Sequence, residues 1–279
     1  MARRSTEATR RAVLAVLAAG LLAFAPLIPA RAAASVRLAA HQAFYRLTLA
    51  DGRNSLVSAA GTMGYEVVDA CRAWHMRQRL DLRMTSPSGE ARHLVSDYQI
   101  EEAKDGTWLR FQMVQTINGA VDSEIAGAAK LDRPDGPGEV TYTAPRPDTI
   151  ALPAGTLFPM AHTAAVIGAA ETGKVFHRLI LFDGSSTHGA ALSTMVTLAR
   201  LPPEQVRWPA LAALPSVRVH LAFFGHDPRQ IAPEYETAMR YWTNGVAGAL
   251  TMDFGDFAMA GHIAALKMLP DRCPTPPAH

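Results

Sequence analysis

Short runs in which apolar and polar residues alternate, each ending near a turn signal, recur along this chain. Ala43, Tyr45, Leu47 and Leu49 alternate with more polar neighbours before Asp51-Gly52. Leu80, Leu82 and Met84 alternate with Asp81 and Arg83 and end at Pro87-Ser88-Gly89. Leu109, Phe111 and Met113 lie between Asp105-Gly106 and Asn118-Gly119. Val217, Val219, Leu221 and Phe223 run up to Gly225. A period of two puts one face of a strand in a core and the other in water, which is the antiparallel pattern. Asp-Gly and Asn-Gly supply the positive φ that tight hairpins need. The repetition predicts a mainly β fold: an antiparallel meander curling into a spiral or incomplete barrel.

Helix is a minority element. One principal helix is expected over residues 158–170, capped by Thr156 and ended by Gly173. Its small residues, Ala161, Ala164, Ala165 and Gly168, form a face that can lie close to a sheet. A second candidate covers Glu204 to Ala213 but contains Pro209. With Pro202, Pro203 and Pro215 nearby, that region reads as an irregular insertion. The tail after Leu269 carries four prolines and reads as extended.

The N-terminus carries an export pattern. Arg3, Arg4, Arg10 and Arg11 precede an apolar stretch from Ala12 to Ile28, and Ala30-Arg31-Ala32 offers the small-x-small cleavage pattern. Ala32-Ala33-Ala34 is an alternative cleavage site. The stretch is at the lower limit for a membrane span and contains Pro26, so cleavage is the preferred reading over an anchor. Residues 1–32 are therefore expected to be a signal peptide and 33–279 a single domain in the periplasm. Sec and twin-arginine export both stay open. Charge agrees with this division. The formal net charge is +2, yet residues 1–32 hold five Arg and one acid, so the remainder is net −2. Such a balance gives no basic surface for nucleic acid.

Two cysteines, Cys71 and Cys273, fall in the expected mature chain. A pair in an exported protein reads as one disulfide, with two unrelated buried thiols as the alternative.

Catalytic and ligand patterns are mostly absent. The chain has no Gly-x-Ser-x-Gly elbow, His-Glu-x-x-His, Gly-Lys-Ser phosphate loop or dinucleotide glycine fingerprint. Asp183, Ser185, Ser186 and His188 are close in sequence, but a triad draws its members from separate elements, so a polar turn is the better reading. His220 and His226, with Asp227, lack the spacing that aims two ligands at one ion. Asp253 and Asp256 supply only part of a calcium loop. Tyr241 and Trp242, beside Asn244-Gly245, read as core aromatics at a turn. No metal, cofactor or catalytic residue is assigned.

Taken together, these segments resemble the EipB family of periplasmic cell-envelope-integrity proteins. The resemblance starts at His41-Gln42-Ala43-Phe44-Tyr45-Arg46-Leu47 and Gly64-Tyr65-Glu66-Val67-Val68-Asp69-Ala70-Cys71, then Trp74. It continues through Tyr142-Thr143-Ala144-Pro145, Leu152-Pro153-Ala154-Gly155-Thr156-Leu157-Phe158-Pro159 with His162, and Phe182-Asp183-Gly184. Ala222-Phe223-Phe224, Pro233-Glu234-Tyr235-Glu236, Asn244-Gly245-Val246, Asp253-Phe254-Gly255-Asp256-Phe257 and Cys273 complete it. Ala73 departs from the pattern, where glycine is expected before the Trp. The resemblance implies an antiparallel β-spiral with a helix and a Cys71–Cys273 disulfide. It implies a shape like that of periplasmic lipid and lipoprotein carriers, and a non-enzymatic role in maintaining the envelope under stress.

Two function classes follow. The first is a binding protein for an envelope protein or a lipid-like ligand, which the missing catalytic motifs favour. The second is an envelope hydrolase whose site is assembled from dispersed residues such as His162, Asp183 and Glu236. A nucleophile–base pair within hydrogen-bond reach would favour the second.

Overall fold

The structure is a computed structural model that describes residues 36–225, 231–271 and 273. The proposed signal peptide, His226 and Asp227, and most of the Pro-rich tail lie outside the described residues.

Among the described residues fifteen strands follow one another, interrupted by two helices. The first eight are β1 (His41–Asp51), β2 (Ser58–Asp69), β3 (Ala73–Thr85), β4 (Ala91–Ala103), β5 (Trp108–Ile117), β6 (Ala120–Leu131), β7 (Gly138–Ala144) and β8 (Asp148–Leu152). Then come β9 (Thr156–Leu157), α1 (Pro159–Glu171), β10 (Phe176–Leu181), β11 (Ala191–Leu201) and α2 (Pro209–Ala212). The chain closes with β12 (Ser216–Phe224), β13 (Tyr235–Trp242), β14 (Ala247–Asp253) and β15 (Ala258–Met268).

All fifteen strands form one sheet. The first and last strands, β1 and β15, pair antiparallel at its centre, and hairpins extend it outward on both sides. The edges are β8 and β9, which only residues 153–155 separate in sequence, so the sheet curls into a nearly closed barrel. The pairing of β9 with β10 is parallel. This is the mainly β spiral or incomplete barrel that the alternation predicts.

The turns work as their composition suggests. Asn118 and Gly119, at φ 52° and 84°, join β5 to β6 as a two-residue hairpin. Both central residues of such a turn need positive φ, and Asn-Gly tolerates it best. Along β1, Ala43, Tyr45 and Leu47 face the core while Gln42, Phe44 and Arg46 face out. Along β12, Val217, Val219 and Leu221 are buried in the same rhythm. Truncating one of these, such as Leu47→Ala, would cost about 2–5 kcal/mol.

The interior of the barrel is occupied by α1. Its first turn holds no acid and its last turn no base, and Met160, His162, Val166, Ile167, Ala169 and Ala170 are buried. A helix apolar on all sides belongs inside a protein. Phe158 and Met160 join a core with Leu109, Phe111, Tyr142 and Phe182. Val166, Ala169 and Ala170 pack on Leu179, Met195, Val217, Val219 and Leu221. The helix is thus gripped from two sides. For that reason its buried set differs from the expected small face, where Ala161, Ala164, Ala165 and Gly168 are only partly covered.

The capping expectations need one correction. Gly173, at φ +86°, ends the helix as predicted, with the Gly173 N–H on the Ala170 carbonyl and the Lys174 N–H on that of Ala169. Thr156 does not cap it. The Thr156 hydroxyl donates to the Pro153 carbonyl at 2.7 Å, and the N-cap position is Phe158, whose side chain has no capping oxygen. The second helix is also shorter than Glu204–Ala213. Proline is compatible only with a first turn, so α2 begins at Pro209 and lasts one turn.

Cys71 and Cys273 form a disulfide with Cα atoms 5.2 Å apart and a sequence separation of 202. The bond ties the end of the described chain to the β2–β3 turn.

Candidate functional site

Between α1, β1–β3 and β13–β14 the packing leaves a cavity of about 170 Å³. Four tyrosines line it: Tyr45, Tyr65, Tyr235 and Tyr241. Met63, Met160, Met239, Met252 and Leu250 supply an apolar wall, and no Lys, Arg, Asp or Glu is among the described lining residues. Methionine is unbranched and polarizable, so a wall of this kind adapts to the shape of a guest.

The polar groups of the cavity divide into two sets. On the β13–β14 side and at α1 they are satisfied from within the protein. The Tyr45 hydroxyl donates to the Ala247 carbonyl at 2.8 Å, the Thr163 hydroxyl to the Pro159 carbonyl at 2.9 Å, and the Thr237 hydroxyl to the Thr251 carbonyl at 2.9 Å. On β1–β3 they are not. The His41 Nδ1–H donates to the Ala39 carbonyl at 2.7 Å, while His41 Nε2 is buried without a partner among the described residues. The Tyr65 hydroxyl and the Gln78 amide, both on this wall, likewise make no hydrogen bond to a described residue. The Tyr65 ring packs against His41 with centroids 5.7 Å apart.

Burial keeps the site uncharged. It lowers the His41 pKa, a little offset by the hydrogen bond to Ala39. It raises all four tyrosines, pushing Tyr235 up to about 12. His41 is thus a neutral ring whose Nδ1 carries the proton and whose Nε2 offers a lone pair.

Strand pairing brings His41 and Tyr65 to this wall. In the β1–β2 register His41 lies opposite Val67 and Ala43 opposite Tyr65, and the Ala39 N–H binds the Asn244 carbonyl at 2.8 Å. Nothing in the local sequence around His41 marks it as a site residue. Its signal is a polar residue standing first on the inward face of an alternating run. The sequence reads both Tyr241 and Trp242 as core aromatics. Trp242 is one, while Tyr241 forms part of the cavity wall.

Glu102 sits deep in the interior near the cavity and caps α1 in place of Thr156. Its carboxylate accepts the Met160 N–H at 2.7 Å and the Ala161 N–H at 2.9 Å. Burial raises its pKa to about 7 against the pull of those two bonds. Sequence reasoning passed over Glu102, because a charged residue in a strand normally faces water.

The dispersed residues of the hydrolase reading are engaged separately. His162 Nε2 is 2.9 Å from the Ser193 hydroxyl. Both are buried, Ser193 completely, and neither lines the cavity. Burial, with nearby His177 second, brings the His162 pKa down to about 4. The Asp183 carboxylate instead accepts the Ser185 N–H and hydroxyl at 2.9 and 2.7 Å, a polar turn of the expected kind. The His188 N–H reaches the Ser186 hydroxyl at 3.4 Å. Glu236 faces His220 at 3.9 Å. A Ser–His pair therefore exists, with both members buried.

The remaining metal candidates are also occupied otherwise. Asp253 is paired with Arg53 and accepts the Gly255 N–H, which closes the turn that contains Asp256. Asp69, Cys71 and Cys273 lie together, but both sulfurs are in the disulfide, and Asp69 pairs with Lys104 at 2.6 Å.

Comparison with known proteins agrees with this architecture. The EipB-like family model matches residues 32–270. The cell envelope integrity protein EipB of Brucella abortus (strain 2308) is 32% identical over 249 residues, which cover 86% of this chain and 87% of that protein. A solved structure from Brucella abortus, described as a β-barrel-like protein of a domain of unknown function, superposes with a TM-score of 0.76 at 28% identity. The match covers 85% of this chain and all of that one.

Proposed function

Because this chain belongs to the EipB-like family, we propose that it is a periplasmic, non-enzymatic protein that supports cell-envelope integrity by holding a lipid-like ligand. The observation that carries this reading is the preformed, uncharged cavity with a methionine wall and the buried, unpartnered Nε2 of His41 on one side. Concave, mostly apolar sites with a few placed polar groups are the usual form of small-ligand sites. Its volume of about 170 Å³ is close to the roughly 150 Å³ of an engineered apolar cavity that accepts benzene. The guest is therefore a ring or the end of a chain, with α1 filling the rest of the barrel.

Native mass spectrometry of protein isolated gently from the periplasm tests this. The expected spectrum contains the mature mass, starting near Ala33, together with a small apolar adduct that dissociates on activation. Protein that is uniformly free of adduct, and whose melting temperature an envelope lipid extract leaves unmoved, would contradict it.

A second reading, docking of an envelope protein, has its own observation. On the outer face of β1–β3 and β15 a groove of about 450 Å³ runs past Phe44, which is 45% exposed, with Arg77, Arg79 and Lys267 at its sides. Co-purification of a protein lost on Phe44→Ser would favour that reading.

A further inference from the structure

We infer that the cavity selects a neutral ligand whose head carries a hydroxyl or amide N–H, which donates a hydrogen bond to Nε2 of His41. The inference rests on the cavity reading above and adds the chemistry of the head group.

The argument starts from what His41 can offer. Its Nδ1 faces the Ala39 carbonyl at 2.7 Å, and a carbonyl only accepts, so Nδ1 carries the hydrogen. In a neutral ring Nε2 is then an acceptor with no partner among the described residues. The residue is 3% exposed, and a buried acceptor left unpaired is destabilising. A ligand that donates to Nε2 removes this cost, and an apolar molecule of equal size does not.

The surroundings restrict the head further. A carboxylate or phosphate would set its charge against the Nε2 lone pair, with no Lys or Arg among the described lining residues to neutralise it. An ammonium group would find no carboxylate there. Bringing an unpaired charge into such a site is costly. A hydroxyl fits, because it can donate to Nε2 and accept from the Tyr65 hydroxyl or the Gln78 amide on the same wall. The apolar body then lies against Met63, Met239 and Met252. A monocyclic alcohol, a phenol, or a short chain ending in a hydroxyl or primary amide has this form.

The test uses three probes of one shape on the intact protein: 4-ethylphenol, ethylbenzene and 4-ethylbenzoate. Methyl-labelled methionine spectra report entry into the cavity through Met63, Met160, Met239 and Met252, and titration gives each affinity. The expected order is 4-ethylphenol about three- to tenfold tighter than ethylbenzene, as one net hydrogen bond provides, with 4-ethylbenzoate weakest. His41→Phe keeps a ring at the position and removes the acceptor. It should bring the phenol-to-hydrocarbon ratio to near one while ethylbenzene still binds. Tyr65→Phe, which leaves His41 intact, should lower the ratio in the same direction and serves where His41→Phe does not fold. Equal binding of phenol and hydrocarbon to the wild type, or preference for the benzoate, would overturn the head-group inference and leave the cavity reading standing. No methionine shift with any probe would overturn both.

Discussion

The Glu102 carboxylate on β4 closes the N-terminus of α1, accepting the N–H of Met160, 58 residues further along the chain, at 2.7 Å. The first N–H groups of a helix have no partner within it, and the helix dipole favours an acceptor there. Here the cap comes from the barrel wall. It fixes the helix against the sheet at the place where Met160 enters the cavity lining.

Removing that cap should loosen the helix. Glu102→Ala leaves one buried and one partly buried N–H without their acceptor, a cost of about 1–3 kcal/mol. Glu102→Gln keeps one acceptor oxygen and should lose less. Urea unfolding at fixed pH measures both.

The same residue sets a pH dependence. Burial raises the folded pKa of Glu102 to about 7 from its ordinary 4.5. The folded state therefore retains a proton that the unfolded chain has released. Its contribution to stability is complete below about 4.5 and is lost as pH rises through about 7. Urea midpoints should thus fall between pH 5 and pH 8, and Glu102→Gln should flatten that component of the fall. An equal decline in both proteins would show that the titrating group lies elsewhere.

Breaking the disulfide should act mainly on the unfolded chain. A closed loop of this length corresponds to about 5 kcal/mol in the chain-entropy model, an upper figure. Cys71→Ser and Cys273→Ser should each lower the melting temperature and speed proteolysis, and the double variant should match the singles. Two free thiols in denatured, unreduced periplasmic protein would contradict the premise.

The Ser193–His162 pair separates a structural from a catalytic reading. Ser193→Ala should cost about 1–3 kcal/mol, because it deprives a buried ring nitrogen of its partner. It should nevertheless restore envelope function in a strain lacking the gene. A folded Ser193→Ala protein with complete loss of function would point to catalysis instead.

Much of the barrel is legible in the sequence, and the reason is local. In β1, β5 and β12 the side-chain rhythm, the inward face and the turns all agree, so each strand declares itself within about ten residues. The helix is found almost to the residue because Gly173 ends it. Its buried face is misjudged because small residues suggest a one-sided contact, whereas α1 is gripped from two sides. β4 is hard to read because Glu102 breaks the rhythm, and its inward carboxylate makes sense only once α1 stands opposite. The cavity is less legible still. His41 and Tyr65 come together through strand register, and the vacancy at Nε2 depends on a tautomer set by Ala39. The β1–β2 register, and the contact of Ala39 with Asn244 far along the chain, leave no periodic trace along the strands they join.

The central claim is that the cavity serves the envelope role, and filling it tests that most directly. Ala247→Leu adds bulk to a lining position while leaving the backbone carbonyl that Tyr45 uses. Complementation of a gene-deleted strain under envelope stress, with melting temperature and secreted amount matched to wild type, is the measurement. Failure of the folded Ala247→Leu protein to restore resistance, together with loss of the small-molecule adduct, is the predicted result. Full rescue by a variant whose cavity is closed and carries no adduct would contradict the account.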